Sequence, residues 1–248
     1  MVAFHGYDQT GSAYAPVAQL LKDRYTLIAI DFFWHGFSEW REPRDFTEED
    51  MREIVLGIAK QEQLFARKFT VCSYSMGARM ARALVRTFPE RIERLVLLSP
   101  PTFAFNRFLN FTTGTRFGLW IFRYFTRHHN RLVKWVERLN KWKVLNRSVY
   151  IFSSKFIGRK ERLLKVYKTW YAQRRLRTNF NLFTTLANRH KIELILIVGK
   201  NDQITPPHKM IFYAKKKFQY RRVFTIRKKH ELVTPETLRV LKKVLLAK

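Results

Sequence analysis

Ser75 lies in Ser73-Tyr74-Ser75-Met76-Gly77, with small side chains two positions to either side. Small residues there permit a tight strand-to-helix turn that lifts a hydroxyl clear of the backbone. A serine hydroxyl is a weak nucleophile. It needs a base to take its proton, and the base needs a carboxylate to orient it. Two downstream residues supply those types. Asp202 follows the apolar run ELILIVG in Gly199-Lys200-Asn201-Asp202-Gln203, and His230 follows the next predicted strand. Both fall where loops leave strand C-termini, the edge at which open α/β sheets collect their sites. The Met76 N–H would open the helix after Ser75 and face any developing negative charge. A turn at His5-Gly6-Tyr7 would direct the Tyr7 N–H to the same point, giving an oxyanion hole with two donors. Such a set performs acyl transfer. Each part has a plainer reading: Ser75 as a helix N-cap, Asp202 as a turn residue, His230 as one exposed histidine among seven, Gly6 as a bend. The concurrence of all three at matching strand ends, in the order Ser, Asp, His, favours the chemical reading.

The elements that must position these residues are legible as alternating strands and helices. Met1–Phe4, Tyr25–Asp31, Phe69–Tyr74, Arg94–Ser99, Glu193–Gly199 and Arg222–Ile226 are predicted strands. Ala15–Asp23, Thr47–Arg67, Met76–Phe88, His208–Lys217 and Pro235–Ala247 are predicted helices. Glu48, Glu49 and Asp50 stand at the positive end of the second helix. This alternation predicts an α/β fold with a mostly parallel sheet and helices on both faces. Residues 102–191 break the pattern. They show no clear strand, are rich in aromatics such as Phe117, Trp120, Trp135, Trp142 and Trp170, and carry about twenty Lys and Arg against Glu137 and Glu161. The expectation is a core of 1–101 and 192–248 and a helical, aromatic, strongly basic cap of 102–191.

The chain resembles the α/β-hydrolase superfamily, in its serine-nucleophile branch with a cap inserted after the sixth strand. His5-Gly6-Tyr7 resembles the oxyanion-loop motif. Asp31-Phe32-Phe33-Trp34-His35-Gly36-Phe37-Ser38 resembles the family's Asp-x-Pro-Gly-His-Gly-x-Ser loop. Ser73 to Gly77 resembles the nucleophile elbow, Gly199 to Pro206 the acid loop, and His230 the terminal histidine. The resemblance implies a Ser75–Asp202–His230 triad, Tyr7 and Met76 as oxyanion donors, and Asp31 and His35 as loop-shaping residues. Departures are visible. Ser73 replaces the elbow's first glycine, Phe33 and Trp34 replace Pro-Gly, and Arg227, Lys228 and Lys229 precede His230. The family has two further strands before the one that ends at His5. Their absence from this sequence leads us to expect a bare sheet edge or a start further upstream.

Composition bounds the partners. The 248 residues and 46% hydrophobic content suit one sizeable core with an insertion. A single cysteine, Cys72, forms no internal disulfide and fits a reducing, cytoplasmic setting. No apolar run approaches the roughly twenty residues of a membrane span, and no signal-peptide pattern opens the chain. The net charge of +29 favours anionic partners. The expected partner is a small-molecule substrate with an apolar acyl or aryl part and an anionic end. A second class is an anionic membrane surface touching the cap, where Arg/Lys and Trp/Phe interleave. No recognition motif points to a specific nucleic acid, no metal-ligand spacing appears, and no cofactor is implied. Ester, thioester or lactone cleavage through an acyl-enzyme is the leading expectation. A catalytically inactive hydrolase fold that only binds is the alternative.

Overall fold

The structure, a computed structural model, describes residues 1–101, 107–145, 147–176, 179–231 and 233–246. The expected cap therefore begins on residues outside the described set, as does Ala247 at the end of the last predicted helix. Strands buried on both faces read as unbroken apolar runs. Four of them form the middle of the sheet: β1 (Val2–Phe4), β3 (Phe69–Tyr74), β4 (Ile92–Leu98) and β5 (Glu193–Gly199). The less buried β2 (Ile28–Ile30) and β6 (Arg221–Ile226) lie at the edges. The order is β2-β1-β3-β4-β5-β6 and every pairing is parallel. The strand expected over Tyr25–Asp31 is shorter because β1 offers partners only to Ile28, Ala29 and Ile30.

Successive strand side chains point to opposite faces, and each face has its own layer of helices. Val71, Leu95, Leu97, Leu194 and Leu196 pack with α2 (Glu48–Gln61), α3 (Ala78–Thr87), α9 (Phe180–Arg189) and α10 (Pro207–Lys217). Cys72, Val96, Ile195 and Ile197 pack with α1 (Ala15–Leu21) and α11 (Pro235–Leu246). Each such buried aliphatic side chain contributes about 1.5–3 kcal/mol, so the sheet is a rigid base for the loops above it. Helix α2 starts on a capping box between Thr47 and Asp50. It stops at Gln61, short of the expected Arg67, because Gln63 takes a left-handed φ of 49°.

Between β4 and β5 the described chain is helical: α4 (Arg107–Gly114), α5 (Arg116–Arg127), α6 (His129–Lys141), α7 (Arg147–Phe156), α8 (Lys160–Ala172), then α9. Phe122, Phe156, Ile157, Leu163 and Val166 give this insertion a small core of its own. Helix α9 differs, since Phe183 and Ala187 are buried in the main core beside the sheet. Among the described residues no helix is long and apolar enough to cross a membrane.

Candidate active site

Strand β3 delivers Ser75 into a 3₁₀ turn, Ser75–Gly77, at a left-handed φ of 46°. That conformation costs a non-glycine residue on the order of 1 kcal/mol. The surroundings hold it in place. A Cβ on Gly77 would lie 2.2 Å from the Phe4 carbonyl oxygen and 2.8 Å from that of His5, so only glycine lets the turn press against the end of β1. The Tyr74 hydroxyl donates to the His230 carbonyl at 2.5 Å, tying the elbow to the last loop. Ser75 Oγ is thereby placed 2.9 Å from His230 Nε2. The Met76 amide sits in the first turn after the serine, where no preceding helical carbonyl is available to it.

Asp202 leaves the end of β5 with its side chain fully buried. Its Oδ1 accepts the backbone N–H groups of Ile204 at 2.9 Å and Thr205 at 2.8 Å. Its Oδ2 accepts the Thr205 hydroxyl at 2.7 Å and faces His230 Nδ1 at 2.7 Å. Burial alone would raise this carboxyl's pKa. The hydrogen bond and charge of His230, with the Thr205 donors, outweigh burial and hold it below the usual value. An ionised carboxylate only accepts, so the His230 proton belongs on Nδ1, and Nε2 is left to accept from Ser75. The loop carrying His230 is pressed onto β5. A Cβ on Gly199 would meet the Lys229 carbonyl oxygen at 2.2 Å and that of Lys228 at 2.6 Å.

The two loops at the end of β1 and β2 form the opposite wall. His5 Nε2 accepts the Phe32 N–H at 3.0 Å, so Nδ1 donates to the Gly6 carbonyl at 2.7 Å. His35 Nε2 accepts the Asp8 N–H at 3.2 Å and its Nδ1 donates to the Phe33 carbonyl at 3.1 Å. Burial pushes both imidazoles below their usual pKa, His35 to about 4. Asp31 Oδ1 accepts the Gly11 N–H at 2.5 Å. Trp34, where the family resemblance has glycine, takes a left-handed φ of 69°. Its ring lies 4.4 Å beneath Lys168 Nζ of α8. Lys165 of the same helix reaches Asp8 at 2.7 Å. The Tyr7 ring meets Phe156 edge-on at 4.8 Å and joins the insertion's small core. Helix α8 is thus tied to both site loops.

The structure brings Ser75, His230 and Asp202 into one hydrogen-bonded line and sets Tyr7 and Met76 on the two backbone turns that flank β1 and β3. Sequence reasoning missed Thr205 and the Tyr74 hydroxyl. The signal for the first is its place three residues after Asp202, the spacing of a carboxylate that receives its own loop's amides. The second has no sequence signal, because its partner is a backbone carbonyl. An apolar cavity of about 200 Å³ lies inside the insertion, lined by Phe122, Leu132, Trp135, Ile157, Val166 and Trp170 among others. Among the described residues no group of three or more His, Cys, Asp or Glu could hold a metal.

Comparison with known proteins places this architecture. Residues 1–233 match the family described as the alpha/beta hydrolase fold, and the chain belongs to that family. An uncharacterized hydrolase, YugF, of Bacillus subtilis (strain 168) is 29% identical over 98 residues, 40% of this chain and 35% of that one. The pimeloyl-[acyl-carrier protein] methyl ester esterase of Nitrosomonas europaea is 29% identical over 105 residues, 42% of this chain and 38% of that one. These alignments span little more than a third of either relative's length. A thermophilic esterase from Thermogutta terrifontis has the same fold, with a TM-score of 0.63 at 17% identity, over 99% of this chain and 88% of that one.

Proposed function

We propose that the protein is a serine hydrolase that cleaves an ester-type bond, whether carboxylic ester, thioester or lactone, through an acyl-enzyme. His230 Nε2 takes the Ser75 proton as Oγ attacks the substrate carbonyl carbon. Asp202 holds the Nδ1–H tautomer and stabilises the imidazolium that forms. The Tyr7 and Met76 amides receive the oxyanion. The imidazolium then gives its proton to the leaving alcohol or thiol as the C–O or C–S bond breaks. Water repeats the sequence with His230 as base, releasing the acid and restoring Ser75. The observation that carries this reading is the continuous line from Oγ to Nε2 at 2.9 Å and from Nδ1 to a buried carboxylate at 2.7 Å. The named activities of the Nitrosomonas relative and the Thermogutta neighbour support ester chemistry.

The insertion's aromatic side chains suit an apolar acyl or aryl group, although none of Ser75, Asp202 or His230 lines the apolar cavity within it, and the +29 charge suits an anionic end. Cys72, fully buried with its thiol pushed up to about 12, takes no part. The lone cysteine is consistent with a cytoplasmic setting. The test is Ser75→Ala on a short p-nitrophenyl ester. Turnover should fall by roughly 10³-fold or more with the circular dichroism spectrum unchanged. Undiminished turnover would reject the assignment.

A further inference from the structure

A second concavity lies on the insertion, and none of Ser75, Asp202 or His230 lines it. It encloses about 610 Å³ between α5, α8 and the turn that follows α8, and its walls carry Arg116, Arg123, Arg174, Arg175, Trp120 and Tyr171. Four guanidinium groups border one cleft with no carboxylate among the lining residues. Asp45, outside the cleft's lining, receives Arg174 Nε at 3.0 Å and Arg175 Nε at 2.9 Å. That pairing holds the Arg174 guanidinium carbon 3.9 Å over the Tyr171 ring. Arg116 has no ion pair among the described residues. Arg123 donates to the Tyr167 hydroxyl at 3.0 Å and has no carboxylate partner among them either.

Arg116 and Arg123 have no carboxylate partner among the described residues, and an oxyanion between two guanidinium groups offsets their mutual repulsion. Their planar forks match phosphate oxygens in pairs. The aromatic wall adds a second requirement. Trp120 is 63% exposed although it is the largest apolar side chain in the cleft. It lies in a row on α5 with Phe117 and Tyr124, at ring separations of 6.0 and 6.3 Å and interplanar angles of 15° and 25°. Exposed aromatic rings such as Trp120 and Phe117 beside a basic cluster can stack on a ring that carries negative charge. The volume is that of a small-ligand site, which spans about 300–1,000 Å³.

We propose that this cleft binds a nucleoside phosphate. The base stacks on Trp120 while Arg116 and Arg123 grip the phosphate oxygens, with Arg174 and Arg175 as the fixed basic floor. The inference does not rest on the serine chemistry and is read by binding alone. The experiment is isothermal titration calorimetry of the full chain with ATP, pyrophosphate and adenosine at physiological salt. ATP should bind saturably with one-to-one stoichiometry, about tenfold or more tighter than pyrophosphate or adenosine. The Arg116→Ala/Arg123→Ala pair should weaken ATP by about tenfold or more. Trp120→Ala should weaken ATP while leaving pyrophosphate affinity unchanged. A control pair of equal charge, Lys215→Ala/Lys216→Ala on α10, should cost less than about twofold. Because Arg116 and Arg123 are exposed, their loss spares the fold, and Arg123→Lys gives a charge-retaining second variant that should still bind ATP more weakly than the parent. Absence of saturable ATP binding, pyrophosphate binding as tight as ATP, or an equal loss in the control pair would overturn the proposal.

Discussion

Two histidines stand in the walls of the candidate site, and both are committed to backbone amides rather than to Ser75. His5 and His35 each accept an N–H on Nε2, from Phe32 and Asp8, which requires the neutral ring. Burial holds both below the unfolded value of 6.5, His35 at about 4. As pH falls, the unfolded chain takes up these protons first. The neutral rings therefore contribute stability that is present above about 6.5 and is lost as pH falls through about 4. Urea midpoints should drop over that window in the parent, and the drop should be smaller in His35→Gln. An equal drop in both would remove His35 from the account. At this scale the sequence showed which residue types were available, and their order along the chain. It did not show that Thr205 supplies Asp202 with a hydroxyl and an amide, because that depends on the shape of a single turn. Nor did it show the cost at Ser73, whose buried hydroxyl has no hydrogen-bond partner among the described residues.

At the scale of elements, the site depends on close backbone contact. Gly199 lets the carbonyls of Lys228 and Lys229, the two residues before His230, lie against the end of β5. Gly199→Ala would push that loop outward. Overpacking of this kind costs about 1–3 kcal/mol, and displacement of the imidazole by about 1 Å lowers turnover by roughly a hundredfold. Turnover should therefore fall far more than the melting temperature. A variant with normal kcat would show that the contact does not position His230. The central strands were legible because burial on both faces leaves continuous apolar runs, as in Leu194 to Val198. The edge was less so, since the length of β2 is set by the three residues of β1 and not by its own sequence. The insertion was legible as helices but not as a layered body. Phe122 is buried there while Phe117 and Trp120 are exposed, although all three lie on one short helix rich in aromatics. The role of Trp34 was also hidden. A bulky ring in a left-handed backbone is explained only once Lys168 of α8 is seen above it.

At the scale of the whole molecule, six parallel strands gather their C-terminal ends on one edge, and three side chains distant in the chain converge there. The helical insertion reaches that edge through Lys165, Lys168 and Arg174, which bind Asp8, Trp34 and Asp45. A net charge of +29 surrounds this arrangement and acts over about a Debye length, roughly 8–10 Å at physiological salt. If the field draws in substrate, kcat/KM on an anionic ester should fall more steeply with added salt than on a neutral ester of the same acyl group. Parallel salt curves would assign the charge to the surface alone. Ser75 is the proposed nucleophile of a hydrolase. Its most direct test is peptide mapping by mass spectrometry after reaction with a fluorophosphonate. One phosphonate per chain is expected, on the peptide containing Ser75, with a strong loss of labelling in His230→Ala. Labelling confined to another residue, or none under conditions where the protein turns over ester, would contradict it.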